Sequence, residues 1–265
     1  YEEMSHFYLT LPSNSSMACY PDNTAAKYTT KLPASIDLSG DWEVALAEIT
    51  YPCEIYNIRD GDCTVTVYDI YERAKVCDFS LPKGTYTGVA DIVSAINAKL
   101  SEVCLRSRHE LGVKYDATTC KVTIHTRCVN GVPVEIYQLV FSPMLDEILG
   151  FGSPVEVDTE TLEGQSVGNI GQEVTSLYVY CDVIEPTVVG DSKVQLLRTV
   201  PLVGGITGHH IFSNPIYVPL LKRHFDCLEL NIMTDTGDVV PFASGKSVVI
   251  LHFRRRSNPY FLLSR

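Results

Sequence analysis

The stretch WEVALAEITY, residues 42–51, is the strongest indication of the fold. Val44, Leu46 and Ile49 stand here among alanines, so that both faces of an extended segment would be nearly apolar. Such a segment is typical of a central strand that is covered on both sides. A central strand needs a paired neighbour along each edge, and the surrounding sequence offers several.

Alternation of apolar and polar residues with a period of two recurs on both sides of this stretch. Leu228, Leu230 and Ile232, for example, alternate with Glu229 and Asn231. Strands are predicted over residues 7–11, 27–32, 42–51, 63–70, 121–126, 132–141, 177–184, 194–202, 225–233 and 246–254. Short strands with long connections favour a sandwich or jelly roll over βαβ units.

Helical spacing is evident in only two places. Apolar residues recur on one helical face over residues 88–103, and Thr87 precedes them as a cap. A shorter helix is predicted over residues 143–149, between a proline and a glycine. Between the two helices, Asn130-Gly131 predicts a hairpin that joins the strands on either side.

These elements predict a mainly β fold: a single jelly-roll β-sandwich with an inserted α/β block of strand, helix, hairpin and helix. The predicted divisions are residues 1–83 for the first part of the jelly roll, 84–152 for the inserted block, and 153–265 for the second part and a C-terminal tail. Residues 152–173 and 204–219 lack periodicity and are predicted to be loops.

The charge of the chain argues against general binding to nucleic acid. The 265 residues carry a formal net charge of −11, which a phosphate backbone would repel. Residues 246–265 are the exception, because they contain five basic residues and no acidic one. Contact with nucleic acid is therefore expected only through this basic C-terminal segment, if at all.

The nine cysteines show neither CxxC spacing nor a zinc-like pairing with histidine. Reduced, buried thiols are the expected state, which is typical of a protein made in the cytosol or nucleus. No run of eighteen apolar residues occurs, so no contact with a membrane is predicted. The sequence also lacks a P-loop and a GxGxxG motif, and no cofactor is predicted.

The sharpest catalytic candidate is Asp235-Thr236-Gly237, which resembles the motif of retroviral-type aspartic proteases. Those enzymes need two such aspartates that share a proton, together with further elements downstream that this sequence lacks. The alternative is a hairpin turn with the glycine in the left-handed conformation. This alternative is favoured, and the protease remains a second hypothesis.

Two other sets of residues suggest chemistry only weakly. His224 and Cys227 are close in sequence, but a catalytic pair must be close in space, and Cys227 lies in an alternating strand. His209-His210 lacks a third ligand for a metal. No catalytic residue, metal ligand or cofactor-binding residue is therefore assigned, and the chain is not expected to be an enzyme.

Three consecutive arginines, Arg254, Arg255 and Arg256, follow directly on a predicted strand. They are the candidate contact with nucleic acid or with an acidic neighbouring protein, and a solvated strand end is the alternative. The apolar residues 259–263 follow shortly afterwards. An arm between subunits and a tail packed on its own subunit are both compatible with this pattern.

Three segments, residues 7–52, 180–202 and 217–255, resemble the minor capsid (penton) protein of Polinton/Maverick elements and the related adintoviruses. The most specific phrases are LPSNSS, residues 11–16, and DLSGDWEVALAEI, residues 37–49. The middle of the chain is similar to that family as well, so the resemblance covers most of the sequence.

The resemblance implies a structural protein with a single jelly roll that forms homopentamers at icosahedral vertices. It implies the double-jelly-roll major capsid protein as a partner, location in the virion, and assembly in the host cytoplasm or nucleus. Because the role of the family is structural, no catalytic residue is carried over.

Two further classes of function stay open from the sequence. One is another jelly-roll capsid or cement protein, including a domesticated copy in a host genome. The other is a module that binds a host receptor or a glycan, which would need exposed aromatic residues, and the fifteen tyrosines allow for it.

Overall fold

The computed structural model describes residues 5–104, 111–130, 132–133, 136–170 and 174–256. These residues form twenty strands and two α-helices. In chain order the elements are β1 (His6–Pro12), β2 (Lys27–Asp37), β3 (Trp42–Pro52), β4 (Thr64–Asp69), β5 (Ala74–Ser80), α1 (Val89–Cys104), β6 (Leu111–Asp116), β7 (Lys121–Thr126), β8 (Cys128–Val129), β9 (Val132–Pro133), β10 (Tyr137–Phe141), α2 (Pro143–Leu149), β11 (Val155–Val157), β12 (Thr161–Glu163), β13 (Ser176–Cys181), β14 (Thr187–Val189), β15 (Ser192–Val194), β16 (Leu196–Pro201), β17 (Thr207–Ile211), β18 (Val218–Pro219), β19 (His224–Met233) and β20 (Val248–Arg255).

The chain divides into two compact units. The first, the jelly-roll unit, combines residues 1–55 with residues 174–265, and the second, the inserted unit, is formed by residues 56–173. The jelly-roll unit is thus built from both ends of the chain.

The jelly-roll unit is a sandwich of two antiparallel sheets. One sheet has the order β1-β20-β3-β17, with β18 also paired to β3, and the other has the order β16-β13-β19-β2. Its eight principal strands pair in a nested way: β1 with β20, β2 with β19, β3 with β17 and β13 with β16. This nesting of the first strand with the last is the jelly-roll topology, so the predicted fold class is confirmed.

The core of this sandwich follows from the alternation along the strands. In β20, Val249, Leu251 and Phe253 point inward and are fully buried. The ring of Phe253 stacks on Phe7 with 4.8 Å between centroids and lies 6.1 Å from the ring of Phe225. Side chains of both sheets therefore meet in one apolar layer, as expected for packed sheets.

The inserted unit has a core of its own. Its two larger sheets have the orders β11-β10-β4-β5 and β12-β7-β6, and β8 pairs with β9 in a small separate sheet. The predicted apolar face of α1 is confirmed, because Ile92, Ile96 and Leu100 are buried in this core. Helix α2 ends as predicted at Gly150, whose φ of 77° lies in the left-handed region.

The inserted unit is longer at both ends than the predicted block of residues 84–152. Strands β4 and β5 precede that block and pair with β10 inside it, and β11 and β12 follow it and pair with β10 and β7. The prediction of a loop over residues 152–173 was wrong for residues 155–157 and 161–163, because β11 and β12 form there through pairing with distant strands.

Two other local predictions were right only in part. A hairpin does form at Asn130, where β8 and β9 pair, but the longer predicted strands on either side do not pair with each other, because β7 and β10 belong to different sheets. Gly131 itself lies outside the described residues. Within the predicted loop of residues 204–219, β17 forms the edge of a sheet by pairing with β3.

Replacement of Phe253 by alanine tests whether the layer between the two sheets stabilises the jelly-roll unit. We expect a loss of about 3–5 kcal/mol in the free energy of unfolding, since a large buried aromatic ring leaves a cavity. Denaturant unfolding followed through Trp42, the single tryptophan and part of this core, measures the loss.

The matched control is Val188→Ala, since this side chain is 71% exposed in the same unit. It should change the free energy of unfolding by less than about 0.5 kcal/mol. Equal effects of the two substitutions would contradict the described packing.

Candidate functional site

Asp235-Thr236-Gly237 forms a tight turn directly after β19. The backbone N–H of Gly237 donates to the carbonyl oxygen of Thr234 at 3.1 Å, and Gly237 has a φ of 85°. Met233 and Val239 bridge the two sides of the turn. The geometry is that of the predicted hairpin turn, with the glycine in the left-handed conformation.

Burial keeps several cysteine thiols in the neutral form. Cys53, Cys63 and Cys181 belong to no disulfide. Burial raises the pKa of Cys63 to about 11 and that of Cys181 to about 12, and it also raises the pKa of Cys53. Because the thiolate is the nucleophilic form, these three thiols are poorly suited to covalent catalysis at neutral pH.

His209 and His210 lie in the edge strand β17 and have separate partners. Nε2 of His209 lies 2.7 Å from Oε1 of Glu48, and Nε2 of His210 lies 3.0 Å from the hydroxyl of Tyr51. The two imidazoles thus contact different residues of β3. Among the described residues, no group of three or more His, Cys, Asp or Glu side chains is placed to hold a metal ion.

Arg254, the first of the three predicted contact residues, is held on the outer face of its sheet. Its Nε donates to Oε1 of Glu43 at 2.6 Å, and Glu43 is the cross-strand neighbour of Arg254. The guanidinium also lies over the ring of Tyr217, 3.4 Å from the centroid. Arg254 therefore has a structural role in the sheet, with its charge neutralised by a carboxylate.

Arg255 and Arg256 differ from Arg254 in their surroundings. The guanidinium of Arg255 passes beside Gly40, where an added Cβ would lie 3.2 Å from Nη2. The backbone N–H of Arg256 donates to the carbonyl oxygen of Asp41 at 2.8 Å, while its side chain is exposed. Contact of these residues with nucleic acid or a capsid neighbour remains a prediction.

An aromatic and histidine cluster surrounds Arg254, and sequence reasoning missed it. We call His6, Tyr8, Tyr217 and His252 the outer-face cluster. Tyr8 stacks on its cross-strand neighbour His252 with 4.3 Å between centroids, and His6 meets the same ring edge-on at 5.4 Å. The alternation of β1 and β20 could have indicated Tyr8 and His252 as neighbours, but only with the register known.

The hydrogen bonding of His252 favours the neutral imidazole. Its Nδ1 shares a hydrogen bond of 2.7 Å with the hydroxyl of Tyr217, and its buried Nε2 has no hydrogen-bond partner within the described parts of the chain. Burial lowers the pKa of His252, and the positive charges of His6 and Arg254 lower it further. A proton on this ring would add a donor that finds no acceptor.

A pocket of 480 Å³ opens at the end of the sandwich where β2 leads into β3. We call it the strand-end pocket. Four apolar residues supply most of its exposed wall and four polar or charged residues complete it; the lining consists of Phe7, Ser35, Ile36, Asp37, Leu38, Ser39, Trp42 and Arg255. The indole N–H of Trp42 donates to the carbonyl oxygen of Ser39 at 2.9 Å, which orients the ring in the wall.

No protein-family model and no curated protein matches the chain. Among solved structures, the chain is similar to the crystal structure of selenomethionine-labelled mavirus penton protein. The sequence identity is 12%, the match covers 94% of this chain and 98% of that chain, and the TM-score is 0.43. The assignment of a jelly roll rests on the strand pairing of this chain itself.

The edge of the β1-β20-β3-β17 sheet carries exposed apolar side chains, which sequence reasoning also missed. Ile206 directly precedes β17 and is 90% exposed, Ile211 is the last residue of β17 and is 72% exposed, and Ile216 in the following loop is 59% exposed. We call these three isoleucines the edge isoleucines. Large apolar side chains concentrated at one edge are typical of a surface that contacts another protein.

Neither helix among the described residues is long and apolar enough to span a bilayer.

Substitution of Arg254 by alanine tests its structural role. We expect the free energy of unfolding to fall by about 1 kcal/mol, because a half-exposed ion pair and a cation–π contact are lost together. Arg256→Ala is the matched control and should stay within about 0.5 kcal/mol of the wild type. Urea unfolding of both variants at one pH measures the difference, and equal losses would contradict a special role for Arg254.

The outer-face cluster predicts a dependence of stability on pH. Since the pKa of His252 is lowered in the folded state, the unfolded state binds the proton first as the pH falls. The contribution of His252 is thus fully present above about pH 6.5, the ordinary histidine pKa, and is lost as the pH falls through the lowered value.

His252→Gln should therefore flatten the fall in unfolding free energy between neutral and mildly acidic pH. The control is His224→Gln, at an exposed imidazole 3.8 Å from Asp37. Urea unfolding at several pH values compares the three proteins. If the unfolding free energies of the wild type and His252→Gln fall equally as the pH is lowered, His252 is not the cause of the pH dependence.

Proposed function

We propose that the chain is a structural capsid protein that forms homopentamers at icosahedral vertices and contacts a double-jelly-roll major capsid protein. The observation that carries the proposal is the set of edge isoleucines on a jelly-roll sheet. Side chains as exposed as Ile206 and Ile211 gain most from a protein partner that removes them from water.

The sequence resemblance to penton proteins supports the same role. Its three segments, residues 7–52, 180–202 and 217–255, all belong to the jelly-roll unit and include strands of both sheets. These three segments therefore cover the sandwich that would supply contacts between subunits. Function is not given by the fold alone, so the surface and the resemblance must be considered together.

A ring of identical subunits needs two different, complementary flanks on each copy. The two edges of the β1-β20-β3-β17 sheet are unlike each other: the β17 edge carries the exposed Ile206 and Ile211, while β1 carries His6 and Tyr8 on its outer face. Tyrosine and isoleucine surfaces can exclude water from each other, and tyrosine is enriched at interfaces. This asymmetry supports a closed ring over a two-fold dimer.

In this role the protein would reside in the virion and assemble in the host cytoplasm or nucleus. Arg255 and Arg256 would contact an acidic neighbour or packaged nucleic acid, with Arg254 neutralised by Glu43. A host receptor is a further partner that such a vertex surface could bind.

Native mass spectrometry of the purified protein, alone and after co-expression with a double-jelly-roll major capsid protein, tests the proposal. We expect pentamers in at least one of the two conditions, and Ile206→Glu with Ile211→Glu should abolish them because charged side chains resist burial. Monomers only, in both conditions, would contradict the capsid role, and another closed ring would contradict the pentamer alone.

Val188→Glu is the matched control for these edge variants. Val188 is 71% exposed, nearly the same as Ile211, but it lies on the β14–β15 hairpin rather than at the sheet edge. Pentamers should survive this substitution. Loss of assembly in the control, with retention in the edge variant, would assign the contact to the hairpin instead.

A further inference from the structure

The strand-end pocket has the size and chemistry of a site for apolar side chains. Its volume of 480 Å³ falls within the range of roughly 300–1,000 Å³ that is usual for binding sites. Phe7, Ile36, Leu38 and Trp42 supply an apolar lining, of which Leu38 and Trp42 are anchored in the buried core. An occupant with neighbouring aromatic and aliphatic side chains would complete this surface.

The described part of the chain ends beside this pocket. Arg255 is the last residue of β20 and lines the pocket, and the N–H of Arg256 is bonded to the carbonyl oxygen of Asp41, in the loop that follows the pocket residues Leu38 and Ser39. Residues 257–265 follow in the sequence and lie outside the described residues. They include the run Tyr-Phe-Leu-Leu at residues 260–263.

We propose that the strand-end pocket is the docking site of residues 260–263 of the same chain. The first of these residues is four positions beyond Arg256, so the connecting chain can extend about 14 Å from the rim of the pocket. Pro259 disfavours a straight continuation of the strand, since it lacks the N–H that a ladder requires. The segment therefore has apolar side chains that match the pocket, a connection long enough to reach it, and a proline that disfavours continuation of the strand away from it.

Effective concentration decides between the same chain and a second copy. A segment joined by a short linker acts at about millimolar effective concentration, whereas another copy acts at its actual, usually micromolar, concentration. Docking within one chain is thus favoured about a thousandfold under such conditions. This inference concerns the single chain and does not depend on the capsid role.

The single tryptophan of the chain provides the probe, because Trp42 lines the pocket. Phe261→Ser combined with Leu262→Ser in the full chain should shift the emission of Trp42 to longer wavelength and increase its quenching by acrylamide. Ser257→Ala combined with Ser264→Ala is the matched control outside the apolar run and should leave both properties unchanged. Circular dichroism verifies that all three proteins melt alike.

A synthetic peptide of residues 257–265, added to the Phe261→Ser/Leu262→Ser protein, should restore the emission of the wild type. The wild type itself should need at least about tenfold more peptide for any response, since its own segment competes at about millimolar effective concentration. A peptide with the same two serine substitutions should not bind.

Two results would overturn the proposal. If neither the double substitution nor the peptide alters the fluorescence of Trp42, the pocket does not bind this segment. The wild type is also diluted from micromolar to nanomolar concentration. If its Trp42 emission then changes while its oligomeric mass falls, the occupant comes from a second copy. The failure of pentamer formation would affect neither result.

Discussion

The pairing of β20 between β1 and β3 is the interaction on which the other features of the jelly-roll unit depend. It joins residues from opposite ends of the chain in one continuous register, from His6 opposite Arg254 to Pro12 opposite Val248. The same strand pairs with β3 from Val248 opposite Thr50 to Arg255 opposite Trp42. Because side chains alternate between faces, this register determines both the core and the outer surface.

The consequences for the two faces are opposite in chemistry. The inward residues Val249, Leu251 and Phe253 are fully buried, and the outward residues His252 and Arg254 meet Tyr8, Tyr217 and Glu43. A slip of one residue would send the arginine into the core and the phenylalanine to the surface. No further interaction is needed to place the outer-face cluster, because the burial of Phe253 fixes the register, and the register determines which residues face outward.

The sequence was most informative where alternation is strong and least informative where pairing alone creates a strand. The segment 42–51 was predicted as a central strand and is central, flanked by β20 and β17. Strand β17 escaped prediction because Thr-Gly-His-His-Ile has no alternation. Its Gly208 lies against the ring of Tyr51, where a Cβ would come within 2.4 Å of Cζ, so glycine permits a close approach that no periodicity reveals.

The candidate contact residues illustrate the same limit. Three adjacent arginines look equivalent in the sequence, but the register gives Arg254 a carboxylate partner, whereas Arg256, within the described residues, has a backbone contact and an exposed side chain. Glu43 could be recognised as the partner only from the pairing of β3 with β20, and Tyr217 comes from a loop with no pattern. The positive charge available to an external partner is thus smaller than the number of arginines suggests.

Ile206 and Ile211, the two edge isoleucines chosen for substitution, are distant from the strand-end pocket along β3. Ile206 is beside Cys53, just after the end of that strand, and Ile211 lies opposite Glu48 in its middle, whereas the strand-end pocket includes Trp42 at its beginning. In extended chain, Cys53 is about 35 Å and Glu48 about 20 Å from Trp42, too far for direct contact between these side chains and the pocket. Energetic effects of substitutions that far apart are usually additive. Contacts made at the sheet edge and docking at the strand-end pocket are therefore separable properties of one sandwich, and a chain that lost one could retain the other.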